Sequence, residues 1–176
     1  MKKTVTALFM VCAVGLVFQI AVRDAGAFQA EHWELILGGN GSSDESFDGT
    51  IFSAAGSLGY FLTDNFEALI RQDIKYSEVS GSNDLWNGGT RFGIDYHLNV
   101  GAFYPFAGAS IGYLYGDTVE EQFVAGPQAG VKFFANSTTF IMGMVEYEFL
   151  FDETNKADDN FDEGRFVYNI GIGFIW

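Results

Sequence analysis

Phe66-Glu67-Ala68-Leu69-Ile70-Arg71-Gln72-Asp73-Ile74-Lys75-Tyr76 carries two unlike faces on one run of chain. Alternate residues Phe66, Ala68, Ile70, Ile74 and Tyr76 are apolar, with Gln72 among them. The residues between them, Glu67, Leu69, Arg71, Asp73 and Lys75, are charged except for Leu69. A period of two sustained this long is a β-strand that separates two environments. The pattern recurs on either side. Residues 86–98 set Trp86, Thr90, Phe92, Ile94, Tyr96 and Leu98 against Asn87, Arg91, Gly93, Asp95 and His97. Residues 165–176 set Phe166, Tyr168, Ile170, Ile172, Phe174 and Trp176 against Arg165, Val167, Asn169, Gly171, Gly173 and Ile175.

Extended along the chain, the alternation predicts strands over about 31–39, 50–62, 66–77, 86–98, 103–116, 122–135, 139–151 and 165–176. The fifth is ambiguous, because Phe103 to Phe106 is apolar on both faces. Short connections at 63–65, 99–101 and 136–138 take turns with longer ones at 40–49, 77–85, 117–121 and 152–164. An even set of strands with short turns at one end and long loops at the other is the plan of an all-β, eight-stranded antiparallel up-and-down transmembrane barrel.

The composition agrees. The chain has 176 residues, 48% hydrophobic and 17% aromatic, enough to bury a core, so a disordered chain is excluded. A single Cys excludes a disulfide scaffold. With 9 Lys+Arg against 23 Asp+Glu, a basic nucleic-acid-binding surface is excluded and no nucleic-acid partner is expected. At the N-terminus, Lys2-Lys3, an apolar run from Thr6 to Val22 and the small-residue stretch Ala25-Gly26-Ala27 predict a secretory signal peptide. The expected division is a cleaved signal over 1–27 and a barrel domain over 28–176. Cys12 lacks the small residue that precedes a lipidated Cys and is expected to leave with the signal.

Two barrels fit this alternation. A soluble barrel of lipocalin type turns its apolar face inward, and a membrane barrel turns it outward. Volume decides. The apolar faces carry Trp, Phe, Tyr, Leu or Ile at most positions, and an eight-stranded interior is only just wide enough for side chains. The opposite faces are rich in small residues such as Ser53, Ala55, Ser57, Gly59, Gly126 and Gly130. Charge points the same way. The inward set holds Arg71, Lys75, Arg91, Lys132 and Arg165, every cation after residue 27 except Lys156. It also holds Glu34, Glu67, Asp73, Asp95, Glu146 and Glu148, so a nearly neutral charge network is expected to plug the lumen. Trp33, Tyr60, Phe66, Tyr76, Trp86, Tyr96, Phe103, Tyr113 and Tyr115 lie near strand ends and are expected to form aromatic girdles.

Four segments resemble small bacterial outer-membrane proteins: Gly59-Tyr60-Phe61-Leu62-Thr63-Asp64-Asn65-Phe66-Glu67, Tyr104-Pro105-Phe106-Ala107-Gly108-Ala109, Ala129-Gly130-Val131-Lys132-Phe133-Phe134 and the aromatic end Gly171-Ile172-Gly173-Phe174-Ile175-Trp176. The chain resembles the OmpX/OmpA-type barrel family, OmpW-like proteins included, over the whole of 28–176. The resemblance implies the outer membrane of a diderm bacterium, surrounded by outer-membrane lipid and lipopolysaccharide. It also implies transient handling by periplasmic chaperones and the barrel-assembly machinery, and a monomer.

No catalytic signature stands out. His32 and His97 lie near the turn end, and a hydrolase would need His97 to meet Ser53 or Ser57 and a carboxylate. The long loops are acidic, as in Asp152-Glu153 and Asp158-Asp159, and offer oxygen ligands, but no calcium-loop spacing is complete. No cofactor and no Cys/His metal site is expected. The expected function is a non-enzymatic structural or surface-interaction barrel. The alternatives are a small pore for ions or hydrophobic compounds of OmpW type and a lipid-A-modifying enzyme.

Overall fold

A computed structural model describes residues 28–43, 50–78, 85–119, 121–151 and 164–176. The segment expected to be a signal lies outside the described residues, as do most of the acidic loop residues. Eight strands follow in order: β1 (Trp33–Ser43), β2 (Thr50–Phe61), β3 (Phe66–Ser77), β4 (Leu85–His97), β5 (Phe103–Gly116), β6 (Gln122–Phe134), β7 (Thr139–Phe151) and β8 (Gly164–Ile175). Each pairs antiparallel with the next, and β8 returns to β1 to close the barrel.

The strands run where the alternation places them, with one notable difference. β1 continues past Gly39 to Ser43, through Gly-Asn-Gly, which on local propensity reads as a turn. Pairing with β2 as far as Ser43↔Thr50 carries it on, because the ladder outweighs glycine's poor strand propensity.

The short turns are held by side-chain oxygens that replace missing ladder partners. Thr63 Oγ1 accepts from the Phe66 amide at 3.0 Å, and Asn136 Oδ1 accepts from the Thr138 and Thr139 amides at 2.9 Å each. Asn99 Oδ1 accepts from the amide of Gly101, whose φ of 71° suits glycine.

The apolar face is outside. Phe92 is 60% exposed and Ile170 is 78% exposed, whereas Lys132, Glu67 and Glu148 on the inner face are 0% exposed. Directly opposed aromatic pairs ring both ends. Trp33–Tyr60, Phe66–Tyr96 and Phe103–Phe133 stand at the turn end, with centroids 4.9, 5.7 and 4.9 Å apart. Tyr76–Trp86, Tyr113–Phe123 and Tyr147–Phe166 stand at the loop end, at 4.7, 5.0 and 4.9 Å. Cross-strand aromatic pairs of this kind are a main source of sheet stability. Tyr115 has a different place: it sits beside Gly88 and receives a hydrogen bond from Gln72 Nε2 at 2.8 Å.

Two irregularities mark the wall. The β6–β7 ladder skips Gly126 and Pro127 and resumes at Gln128↔Glu146. Pro127 has no amide to contribute, and a Cβ on Gly126 would collide with the Tyr147 carbonyl oxygen. Gly126→Ala is therefore expected to lower stability by about 1–3 kcal/mol. Gly143→Ala, at a site with nothing within 4 Å of the added carbon, is expected to leave it unchanged or slightly raised. Urea unfolding of the two variants side by side checks this.

The second irregularity is the closing seam. The seam is paired from Trp33 and Trp176, which exchange backbone hydrogen bonds at 3.0 and 3.1 Å, up to Leu37↔Ile172. Continuing that register would set Asn40 against Asn169, but no such pairing occurs among the described residues. The backbones stay close at Gly38, where a Cβ would lie 2.7 Å from the Ile170 carbonyl oxygen, and above that point the described seam is unpaired.

Candidate functional site: the lumen

Five strands place a floor of rings at the turn end: Phe61 (β2), Tyr104 (β5), Phe134 (β6), Phe140 (β7) and His97 (β4), all buried. The segment before β1 folds beneath them. It is tied down by Glu31 N to Phe61 O at 2.8 Å and by Ala30 N to Asp64 Oδ1 at 2.9 Å, and it turns at Glu31 with φ 71°. This brings the Phe28 ring into the centre, stacked on Phe61 at 4.3 Å, with Tyr104 and Phe134 edge-on at 4.8 and 5.3 Å.

Above the rings sits Lys132. Its Nζ donates to both oxygens of Glu34 at 2.7 Å and to Glu67 Oε2 at 2.9 Å. The same ammonium lies 5.1 to 5.7 Å from the ring centres of Phe28, Phe61, Phe106 and Phe140, within cation–π range. His97 Nε2 is 3.5 Å from Glu67 Oε2, and neither nitrogen of His97 has a hydrogen-bond partner among the described residues.

The next tier is a chain of polar side chains. Gln128 donates to Asp95 at 2.7 Å and accepts from Arg71 at 2.8 Å, and Arg71 also pairs with Glu146 at 2.9 Å. Ser110 donates to the second Glu146 oxygen. Higher still, Arg91 bridges Asp73 and Glu148, donating from Nε to Glu148 at 2.8 Å, and Arg165 Nε donates to the other Glu148 oxygen at 2.8 Å. A cavity of about 40 Å³ lies between the Lys132 and Arg71 tiers. Above Arg91 the lumen widens into a vestibule of about 910 Å³.

All eleven charged residues assigned to the lumen from the alternation face inward. Ten of them engage one another or Gln128 and Ser110. Lys75 alone has no ion pair or hydrogen bond among the described residues; it stands exposed at the vestibule wall.

Three features escape the alternation. Gln128 and Ser110 bridge the charges, but nothing in their local sequence marks them. Phe28, Phe61, Tyr104, Phe106, Phe134 and Phe140 contradict the expectation that bulky aromatic residues stay outside: at the turn end they fill the lumen. The ambiguous run is resolved with Tyr104 and Phe106 inward and Phe103 and Pro105 outward. Their signal was present only as aromatic residues on both faces at 103–106 and 133–134.

The hydrolase grouping is not assembled. Ser57 pairs with Arg71, which lies opposite Arg91, well up the barrel from His97. Of the acidic loop residues, Asp117 is described accepting from the Trp86 amide at 2.8 Å, and Glu121 accepting from Tyr113 Oη at 3.2 Å.

A closed ladder, an apolar exterior between aromatic rings and an ion-paired interior together define a transmembrane β-barrel. The same fold is found in the N-terminal β-barrel domain of OprF from Pseudomonas aeruginosa. That match has a TM-score of 0.58 and 16% identity, and covers 84% of this chain and 98% of that one. It is found again in the outer membrane protein OprG of the same organism, with a TM-score of 0.59 and 12% identity, over 87% of this chain and 99% of that one. At these identities the likeness is one of fold, and the expected resemblance to small outer-membrane barrels is borne out at that level. No protein-family model matches the sequence, and no curated protein does.

Proposed function

We propose that this chain is an integral outer-membrane barrel with a structural or surface-interaction role, closed to passage from end to end. The observation that carries this reading is the double closure at the turn end, where a floor of rings centred on Phe28 lies beneath the Lys132–Glu34–Glu67 cluster. A permeating ion would have to displace packed rings and then separate three buried charges. The larger lumen space lies entirely above this barrier. Outer-membrane lipid and lipopolysaccharide would surround a monomer, and the acidic loops would present its partner surface.

Conductance tests the closure. The purified protein, shown to be folded by a heat-dependent gel shift, is expected to be silent in a planar lipid bilayer. Phe61→Ala combined with Phe140→Ala removes two floor rings and is expected to produce intermittent openings. Steady conductance of the unaltered protein would remove the closed-barrel reading.

A further inference from the structure

We infer that the open seam between β1 and β8 admits a single-chain amphiphile from the membrane, and that its anionic head, carboxylate or phosphate, is bound in the vestibule by Lys75 and Arg165. Backbone, cavity and charge each contribute to this inference.

Beyond Leu37↔Ile172 the β1–β8 ladder has no further pairs among the described residues; Gly38 still lies against the Ile170 carbonyl, and the edges above it are unpaired with each other. Unpaired amides and carbonyls cannot face hydrocarbon, at a cost of several kcal/mol each. The gap must therefore hold water or a polar group.

The vestibule reaches into that gap. Its boundary includes inward residues, such as Gly38, Ala55 and Asn169, and also outward ones, Gly39, Ala54, Tyr168 and Ile170. A cavity bounded by both faces of a sheet passes through the wall. The β1–β2 side is made of small residues, Gly38, Gly39, Ser53, Ala54 and Ala55, and the β8 side presents Tyr168 and Ile170, 76% and 78% exposed. An alkyl chain fits such a slot, with small residues on one flank and apolar residues on the other.

Charge selects the head. The chain as a whole carries a net charge of -14, yet among the described residues that line the vestibule the uncommitted charge is positive. The carboxylates described there are already taken, Asp73 by Arg91 and Glu148 by Arg91 and Arg165. Arg165 uses Nε for Glu148, its two terminal nitrogens have no partner among the described residues, and its side chain is 47% exposed. Lys75 has no partner among the described residues and lines the same cavity. Among the described residues, an anion entering here meets two available cations and no available carboxylate.

The experiment uses the protein reconstituted in phosphatidylcholine vesicles and stearate spin-labelled near its carboxylate, read by electron paramagnetic resonance. The expected result is an immobilised fraction of labelled stearate about tenfold above that of labelled phosphatidylcholine, the gain of one charge-assisted hydrogen bond. Lys75→Gln with Arg165→Gln is expected to abolish the excess. Lys75→Glu, a reversal at an exposed site with little risk to folding, is expected to reduce it as well. Laurate and dodecyl phosphate should both displace the label, and dodecyl maltoside should not. Equal immobilisation of the two labels, indifference to all these variants, or equal displacement by the maltoside would overturn the inference. It rests on the membrane placement proposed above. Failure of the protein to insert would remove both, whereas a folded, inserted barrel without anion selectivity removes this one alone.

Discussion

Lys132→Met is expected to shift urea unfolding of the barrel by about 3–5 kcal/mol, the cost of removing one partner from a buried ion pair. Among the described residues, Lys132 is the only Lys or Arg that touches Glu34 and Glu67, at 2.7 and 2.9 Å, and all three side chains are at most 1% exposed. Methionine fills a similar volume, so little of the loss would come from a cavity. The substitution leaves two carboxylates facing each other against a wall of rings. It also removes the cation that Phe28, Phe61, Phe106 and Phe140 surround. A triple variant, Lys132→Met with Glu34→Gln and Glu67→Gln, separates charge from packing. It should recover most of the loss, because replacing a whole buried ionic set costs far less than stranding part of it. A single variant as stable as the parent would mean that Lys132 does not hold the lower lumen together.

Phe92→Arg is expected to destabilise the membrane-inserted barrel by about 2–4 kcal/mol. Phe92 lies on the outer face of β4, between the girdle residues Tyr96 and Trp86, and is 60% exposed. In water, exchanging an exposed Phe for Arg would be nearly neutral. In hydrocarbon the guanidinium must reach for an interface or draw water inward. The size of the effect therefore reports which solvent the outer face meets. Unfolding in lipid bilayers, compared with Trp86→Arg at the girdle, where the cost should be small, gives the depth dependence. A flat response at both positions would point to a barrel whose outside is in water.

The fold was largely legible because its signal is local. In 66–76 and in 86–98 each residue's face follows from its parity, and parity needs no knowledge of the partner strand. The same rule put Arg71, Arg91, Lys132 and Glu146 on the inner face. The contrast in polarity that marks the two faces failed at Phe61, Tyr104, Phe106, Phe134 and Phe140, which share the parity of inward residues such as Gly59, Ser110, Lys132 and Glu146. There, apolar residues occupy both faces and alternation carries no contrast. The volume argument also failed at that end, because it treats the lumen as one uniform tube. In fact glycines such as Gly173, where a Cβ would fall on the Phe140 ring, make room for the bulky residues.

By itself the sequence determined the number of strands, their antiparallel order, the face that meets lipid and the sign of each luminal charge. These depend on spacing within one strand and on the length of its connections. The tertiary structure alone decided who meets whom. Lys132 binds Glu34 across 98 residues of chain and Arg71 binds Glu146 across 75, contacts fixed by the stagger of the closed ladder. The same closure decided that Phe28 stops the lumen and that β1 and β8 part above Leu37. Stagger is a property of the whole ring of strands, since each register shifts the next, so no single segment of sequence encodes it.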